Sequence, residues 1–228
     1  IGLIEVHLYR PFSSKYFLNV LPKTVKKVAV LDRTKEPGTN GEPLYLDVVE
    51  IIKKHNLKID VVGGRYGLSS KNTTRNDIEA VYNYLDNKVL KTFTIGINDD
   101  ITNLSLKPTN TIFKSNSKEV LIYGYGSDGM VTTSKNLLTL VGEKTSSFVQ
   151  GYFEYDSKKS GGVTKSHLRF SENVINSPYY VINPYMVVCS KDTYLKKYDL
   201  LKGIQNNGIF LLNTEKTINN LKGHFMSL

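Results

Sequence analysis

The sequence lacks tryptophan and contains a single cysteine, Cys189, among its 228 residues. One cysteine excludes an internal disulfide, a four-cysteine zinc site and a cysteine-ligated iron–sulfur cluster within this chain. No apolar run comes near the ~18 residues that a membrane-spanning helix needs, so we expect no membrane partner. The chain also opens without a methionine and without the basic segment of a signal peptide. We therefore expect a piece of a longer polypeptide.

The sequence also has no long basic run, although its net charge is +9 from 30 basic and 21 acidic side chains. Nucleic-acid binding requires a clustered basic stripe, so we expect no nucleic-acid partner. Distributed positive charge instead favours a small anionic ligand or an acidic protein surface. Hydrophobic residues make up 40% of the chain, which suffices for one large or two small folded domains.

Strand and helix patterns alternate in the first part of the chain. They predict strands at residues 4–8, 25–31, 59–62 and 93–97, and helices at 13–21, 44–56 and 77–85. This order predicts a parallel sheet with right-handed crossovers.

A polar segment at residues 99–118, rich in Asn, Ser and Thr, interrupts this order and is typical of an interdomain linker. Beyond it we predict strands at 119–123, 148–155, 185–189 and 209–212. Helices are predicted at 134–141 and at 190–201, the second capped by Ser190. Residues 164–170 and 179–182 are interpreted as irregular extended pieces. The predicted fold class is α/β with two consecutive domains.

The clearest single motif is GYGSDG at residues 124–129. It matches G-x-G-x-x-G between a predicted strand and a predicted helix. In that setting glycines allow a tight turn and close backbone approach, and the first N–H groups of the helix can bind a phosphate. The alternative is a glycine-rich turn that binds no ligand.

A second candidate phosphate site follows the predicted strand 148–155. Residues 156–162, DSKKSGG, combine two lysines, two hydroxyls and two glycines, a composition that suits a phosphate cradle. Since parallel strands end at one edge of a sheet, both loops can converge on one ligand. We expect a nucleotide with several phosphates, including one on the ribose. A solvated basic turn is the alternative.

Other polar residues give weaker indications. His167 is a candidate general base or ligand contact, with a structural role as the default. Arg169 can reach a phosphate or an interdomain carboxylate. Cys189 ends an apolar run and is expected to be a buried small hydrophobe. The pair Asp99 and Asp100 suits Mg²⁺ and a strand-ending turn equally well. The remaining histidines are scattered and indicate no metal site: His7, His55 and His224.

The segment 32–42, together with Pro43 directly after it, mixes both charge signs with two prolines and two glycines. We interpret it as a stiff surface for contact between domains or subunits. No base–nucleophile pair indicates catalysis there.

Three stretches together resemble a known family. They are LDRTKEPG with GEPLY (31–38 and 41–45), YGYGSDG (123–129), and QGYFEYDSKKSGG with SHLRF (150–162 and 166–170). Along nearly its whole length the chain resembles the pyruvate:ferredoxin (flavodoxin) oxidoreductases, including the eukaryotic NADP-linked fusion. The resemblance implies that residues 1–105 are the later part of a transketolase C-terminal-like domain. Residues 106–228 would be the first part of the following gamma-type domain.

The resemblance implies an activity for the parent enzyme, the oxidative decarboxylation of pyruvate to acetyl-coenzyme A. Thiamine diphosphate, Mg²⁺ and 4Fe–4S clusters would lie elsewhere in that polypeptide, so we expect this chain alone to be inactive. The implied electron acceptor is ferredoxin, flavodoxin or a fused NADP reductase. We expect a homodimeric parent in the cytoplasm or in a mitochondrion-related organelle.

The gamma-type domain holds coenzyme A in this family, which agrees with the two-loop site inferred from the residues. The resemblance implies that Gly126, Ser127 and Asp128 line the site. It further implies that Lys158, Lys159 and Ser160 meet the coenzyme phosphates, with Gly161 in the same loop. No catalytic residue and no metal ligand are expected in this chain. Thr132 departs from the family, which usually has glycine there, and we expect this to alter ligand approach.

Two other functions stay open. One is a sister 2-oxoacid oxidoreductase with another substrate, and the other is a non-catalytic nucleotide-binding or interaction module. Specific, saturable binding of coenzyme A favours the pyruvate oxidoreductase or its sister enzyme. Equal binding of any polyphosphate favours the non-catalytic module.

Overall fold

The computed structural model describes residues 1–97, 101–113, 115–156, 162–221 and 225. The chain divides into two compact units, Ile1–Phe113 and Lys114–Leu228. The family-domain boundary expected after residue 105 stays a prediction. Residues that follow it are hydrogen-bonded within the first unit. The Leu106 N–H donates to the Thr94 carbonyl, and Asn76 Nδ2 donates to the Thr109 carbonyl.

The first unit contains a three-stranded parallel sheet in the order β1-β2-β3. Its elements are α1 (Ser14–Val20), β1 (Lys27–Asp32), α2 (Pro43–Lys54), β2 (Asp60–Arg65), a 3-10 turn (Leu68–Ser70), α3 (Arg75–Tyr84) and β3 (Phe93–Thr94). The predicted parallel sheet is confirmed.

Local sequence explains where the two longer helices of this unit begin. Pro43 occupies the first turn of α2, where its missing N–H costs no hydrogen bond. Thr74 and Asp77 form a reciprocal capping box at the start of α3. In α2 the apolar residues Val48, Ile51 and Ile52 share one face and are buried against the sheet. Burial of this stripe stabilises the helix more than intrinsic propensity does.

The predicted strand at residues 4–8 is wrong. No regular structure is assigned there, and the apolar side chains Ile4 and Leu8 are exposed. Alternating hydrophobicity stabilises a strand only where a neighbouring strand and a core cover its apolar face. Within the described residues, no strand pairs with this segment.

The second unit contains a five-stranded mixed sheet in the order β5-β6-β4-β7-β8. Its elements are β4 (Lys118–Tyr125), α4 (Met130–Lys144), β5 (Phe148–Tyr155), β6 (Val163–Ser171), β7 (Met186–Cys189), a 3-10 turn (Asp192–Lys196), β8 (Ile209–Leu212) and α5 (Ile218–Leu221). Strand β6 is antiparallel to β4 and β5, whereas β4, β7 and β8 run parallel. The α/β class is confirmed.

Residues 164–170, expected to be irregular, instead form the core of the nine-residue strand β6. The hydrophobic pattern is hidden because polar side chains such as Ser166, His167 and Arg169 are buried on this strand. Each of its faces is covered, so alternation between apolar and polar residues carries no signal.

The predicted helix at 190–201 is wrong and is replaced by the short 3-10 turn. The Ser190 hydroxyl does not cap it but donates to Asp128, on a distant loop. Helix α4 begins at Met130 rather than at Ser134. The Met130 N–H donates to the Asp128 carboxylate at 2.9 Å, which helps the helix start despite the poor helix propensity of Val131, Thr132 and Thr133.

No helix in the described part of the chain is both long and apolar enough to cross a bilayer.

Candidate functional site

The turn after β4 is held in place by one carboxylate. Asp128 accepts the N–H of Tyr125 at 2.6 Å, the N–H of Met130 at 2.9 Å and the hydroxyl of Ser190 at 2.6 Å. Ser127 and Gly129 take the left-handed conformation, with φ of 77° and 82°, which glycine adopts at little cost. Asp128 therefore shapes the turn and links it to the end of β7.

The first turn of α4 keeps open hydrogen-bond donors. Met130 donates to Asp128 and Thr133 donates to the Gly129 carbonyl. Among the described residues, the N–H groups of Val131 and Thr132 have no acceptor. Unpaired N–H groups at a helix start, together with the helix dipole, attract an anion such as a phosphate.

The glycine-rich turn after β4 lies beside the start of β6 at one edge of the sheet. Gly126 donates its N–H to the Gly162 carbonyl at 2.9 Å, and Tyr125 is paired with Val163. Strands β4 and β5 are both antiparallel to β6, which lies between them, so their carboxyl ends share one edge of the sheet. Strand β6 begins at this edge, beside the end of β4.

The predicted site residues are thus placed only in part. Gly126, Ser127 and Asp128 lie in the turn between β4 and α4. Lys158, Lys159, Ser160 and Gly161 lie outside the described residues. The contact of all seven with a ligand stays a prediction.

Gly124 lets α4 begin close to the sheet. A Cβ atom at this position would lie 2.7 Å from Thr164 Oγ1 and 2.8 Å from Met130 Cβ, both shorter than ordinary contacts. Thr164, the β6 residue paired with Gly124, is 8% exposed, and its hydroxyl oxygen has no hydrogen-bond partner among the described residues. Within the described part of the chain, a buried polar atom therefore lies unpaired under the start of α4.

His167 belongs to an internal polar cluster. Its Nδ1 accepts the Val181 N–H at 3.1 Å, which leaves the ring proton on Nε2, 3.5 Å from Glu154 Oε2. The imidazole also stacks on the Tyr180 ring, with 4.7 Å between centroids. Hydrogen bonding to His167, followed by the charge and hydrogen bond of Lys165, lowers the pKa of Glu154 to about 2. The structure favours the structural role for His167.

Arg169 is also used internally. It is 1% exposed and donates from Nε to Glu119 Oε1 at 2.7 Å, from Nη1 to Gln150 Oε1 at 3.0 Å and to the Tyr179 carbonyl at 2.8 Å. Its guanidinium cannot reach a phosphate at the sheet edge. A buried ion pair of this kind needs such additional hydrogen bonds to offset desolvation.

Cys189 is buried, as expected, and its Sγ donates to the Lys191 carbonyl. Burial raises the pKa of this thiol, which opposes thiolate formation. Asp99, Asp100 and His224 lie outside the described residues. Among the residues that are described, no group of three or more His, Cys, Asp or Glu side chains could hold a metal ion.

The acidic residues of the segment 32–42 bond within the first unit. Asp32 accepts the N–H groups of Leu44 and Tyr45 at 3.0 and 3.1 Å and so caps α2. Glu42 is buried, pairs with Arg65 and accepts the Glu36 N–H at 2.6 Å. These bonds shape the loop. They also occupy the N–H groups of Leu44 and Tyr45 in the first turn of α2.

Ser190 is the site-edge residue that the sequence interpretation missed. Its position after a strand and before Asp192 is typical of a helix cap, so local sequence favoured the wrong role. The partner, Asp128, is 62 residues away, and only the pairing of β4 with β7 brings the two together.

Comparison with known proteins identifies the family. The family profile described as "Pyruvate ferredoxin/flavodoxin oxidoreductase" matches residues 119–225. The pyruvate:ferredoxin oxidoreductase of Moorella thermoacetica is 48% identical over 217 residues, covering 94% of this chain and 18% of the relative. The pyruvate-flavodoxin oxidoreductase of Klebsiella pneumoniae is 45% identical over 228 residues, covering 98% of this chain and 20% of the relative.

An NADP-type relative is also similar. The mitochondrial pyruvate dehydrogenase [NADP(+)] of Euglena gracilis is 40% identical, over 97% of this chain and 13% of the relative. The solved pyruvate oxidoreductase subunit PORC of Thermotoga maritima is 23% identical with a TM-score of 0.42, covering 49% of this chain and 57% of that chain. This chain spans about a fifth of the length of the bacterial relatives it matches. The chain belongs to the pyruvate ferredoxin/flavodoxin oxidoreductase family.

Proposed function

We propose that this chain is the part of a pyruvate oxidoreductase that binds coenzyme A and holds it for acetyl transfer. The observation that carries the proposal is the open first turn of α4. Among the described residues, the N–H groups of Val131 and Thr132 lack acceptors, and Gly162, which follows Lys158 and Lys159 in the sequence, accepts the Gly126 N–H beside this turn. Backbone donors and lysines together suit a ligand with several phosphates.

Coenzyme A has two separated phosphate groups, the diphosphate and the 3′-phosphate of the ribose. Two sources of positive charge on two loops match this arrangement better than they match a single phosphate. The α4 start offers backbone N–H donors, whereas each lysine offers a compact positive charge. We assign Gly126, Ser127 and Asp128 to the wall of the site, with Asp128 acting through the turn it shapes. Lys158, Lys159, Ser160 and Gly161 form the phosphate-binding loop.

The role of this chain in catalysis is positioning. When bound in the parent enzyme, thiamine diphosphate with Mg²⁺ supplies the decarboxylation chemistry, and 4Fe–4S clusters carry the electrons, all outside this chain. Binding the coenzyme in a fixed orientation raises the effective concentration of its thiol at the acetyl group. The relatives carry ferredoxin, flavodoxin or NADP(+) in their names, and we propose one of these as acceptor of a homodimeric parent.

The compartment is part of the proposal. A cytoplasmic or mitochondrion-related location fits the single cysteine of the chain, and the Euglena gracilis relative is named as mitochondrial.

Calorimetric titration of the chain with coenzyme A and with 3′-dephospho-coenzyme A tests the proposal. We expect saturable binding that weakens without the 3′-phosphate and weakens further in the Lys158→Ala, Lys159→Ala double variant. The matched control is Lys53→Ala with Lys54→Ala, a lysine pair in the last turn of α2. Equal affinity for any polyphosphate would support the nucleotide-binding module instead. Absence of binding to both coenzymes would overturn the proposal.

A further inference from the structure

Strands β4 and β7 lie at a topological switch point. They are parallel neighbours, with Tyr123 paired with Cys189. The chain leaving β4 forms α4 on the sheet face where Gly124 lies against Met130. The chain leaving β7 packs on the opposite face, where Tyr194 shares a core with Tyr123. In open α/β sheets, ligands bind in the crevice that opens where neighbouring crossovers go to opposite faces.

Ser190 connects the two sides of this crevice. Its N–H donates to the Tyr123 carbonyl at 2.9 Å, and its hydroxyl donates to Asp128 Oδ2 at 2.6 Å. The same Asp128 oxygen accepts the Tyr125 N–H. Ser190 thereby fixes the distance between the turn after β4 and the end of β7.

Lys191 brings a positive charge to the same edge. Its Nζ lies 4.2 Å from the centroid of the Tyr125 ring, directly before the glycine-rich turn. Lys165 and Lys216 pair with carboxylates at 3.1 and 2.6 Å. In contrast, within the described part of the chain no carboxylate lies in ion-pair distance of Lys191. A cation held on an aromatic ring without an acidic partner is available to an anionic ligand.

The unpaired Thr164 hydroxyl is a second indication of a ligand here. It is buried below the start of α4, beside Gly124. Buried polar atoms are almost always hydrogen-bonded, and among the described residues this hydroxyl keeps its capacity for a polar partner at the start of α4.

We infer that residues 190–191 form a third wall of the coenzyme site, in which Lys191 binds a phosphate and Ser190 positions the glycine-rich turn through Asp128. This inference rests on the proposed function, which places the ligand at the same sheet edge. It adds a cation from a loop that neither motif contains. The ligand class is a phosphorylated nucleotide, bound by the start of α4 together with the Lys191 side chain.

Titration of Lys191→Met at low salt, with coenzyme A and with inorganic diphosphate as probes, tests the contact. Removing one charge-assisted phosphate contact is expected to weaken the binding of both probes roughly tenfold. The matched control is Lys144→Met, an exposed lysine in the last turn of α4, at the far end of that helix. The control is expected to bind like the unmodified chain.

The outcomes separate this inference from the proposed function. If the unmodified chain binds coenzyme A and Lys191→Met binds it equally well, the third wall is overturned and the proposed function stands. If the chain binds diphosphate in a Lys191-dependent way but shows no preference for coenzyme A, the inference stands and the proposed ligand is wrong. Absence of binding to both probes overturns both.

Ser190 requires a separate comparison because it acts through Asp128. We expect Ser190→Ala to weaken coenzyme A binding several-fold, and Ser190→Thr, which keeps the hydroxyl, to restore it. The backbone amide resonances of residues 125–130 are expected to shift in the alanine variant before any ligand is added. Equal affinity in both variants would show that Ser190 does not position the turn.

Discussion

The two units each present a helix start at the carboxyl end of a strand, and these two helix starts differ in their free donors. In the first unit, α2 begins with Pro43, which has no N–H, and Asp32 accepts the next two N–H groups. In the second unit, Asp128 accepts one N–H group from the first turn of α4, that of Met130. The same βα geometry is therefore closed in one unit and open to an anion in the other.

The difference shows that a helix start and a nearby loop do not by themselves define a phosphate site. What matters is whether an internal carboxylate already occupies the donors. The mixed-charge pattern of segment 32–42 serves the fold, since Asp32 and Glu42 are both buried and bonded. Asp128 divides its hydrogen bonds among the Tyr125 N–H, the Met130 N–H and the Ser190 hydroxyl. Later N–H groups in the first turn of α4 are therefore left for a ligand.

Opening the closed helix start should have the largest effect on stability. We expect Asp32→Ala to lower the free energy of unfolding of the first unit by about 2 kcal/mol, because two N–H groups lose their acceptor. Hydrogen exchange of the α2 amides with urea titration measures this. Coenzyme A affinity should stay unchanged, and the exposed-site control Glu50→Gln should match the unmodified chain. A loss of affinity would show that this edge also contributes to binding.

Closing the space below the open helix start should have the next largest effect. In Gly124→Ala the added Cβ meets Thr164 Oγ1 and Met130 Cβ at 2.7 and 2.8 Å. Overpacking of this kind costs roughly 1–2 kcal/mol, so thermal unfolding of the second unit should shift downward and coenzyme binding should weaken. Gly2→Ala, where a Cβ contacts nothing, is the control. An unchanged midpoint would mean that α4 is free to move away from the sheet.

Removing the carboxylate of the open helix start should affect binding more than stability. We expect Asp128→Ala to cost about 1 kcal/mol of stability, since its partners remain accessible to water. The loss of turn geometry should lower coenzyme A affinity roughly tenfold. Titration and urea unfolding of the same variant give both values. A variant that unfolds more easily yet binds normally would contradict the role assigned to the turn.

The polar cluster around His167 provides the smallest effect and a negative control for the site. The pKa of Glu154 is lowered to about 2, so its stabilising contribution is present above its ordinary pKa and is lost as pH falls through 2. Glu154→Gln should therefore reduce stability by less than about 1 kcal/mol at pH 7, because the pair is partly exposed. The difference should disappear near pH 2, and coenzyme affinity should not change. A change in affinity would place this cluster in the site.

Local sequence was sufficient for elements whose signals are local. The helix α2, the strands β1 and β2, and the glycine-rich turn after β4 were all predictable from spacing. The polar residues buried on β6 and the absence of a helix after Ser190 were not. Arg169 depends on Glu119, and Ser190 depends on Asp128, both far away in sequence. Contacts of this kind follow from strand pairing, which a single sequence does not specify.

The same limit applies to the candidate site. The glycine-rich and lysine-rich segments were visible in the sequence, but the position of β6 between β4 and β5 was not. Lys191 carries no motif, and its place beside Tyr125 follows from the pairing of β4 with β7.

The central claim is that one helix start binds the coenzyme and the other does not. Amide chemical shifts of the isotope-labelled chain during titration with coenzyme A test this most directly. The account predicts saturable shifts at Gly129, Val131 and Thr132 and none at Leu44 and Tyr45. Shifts at the start of α2, or saturable binding without any shift at the start of α4, would contradict it.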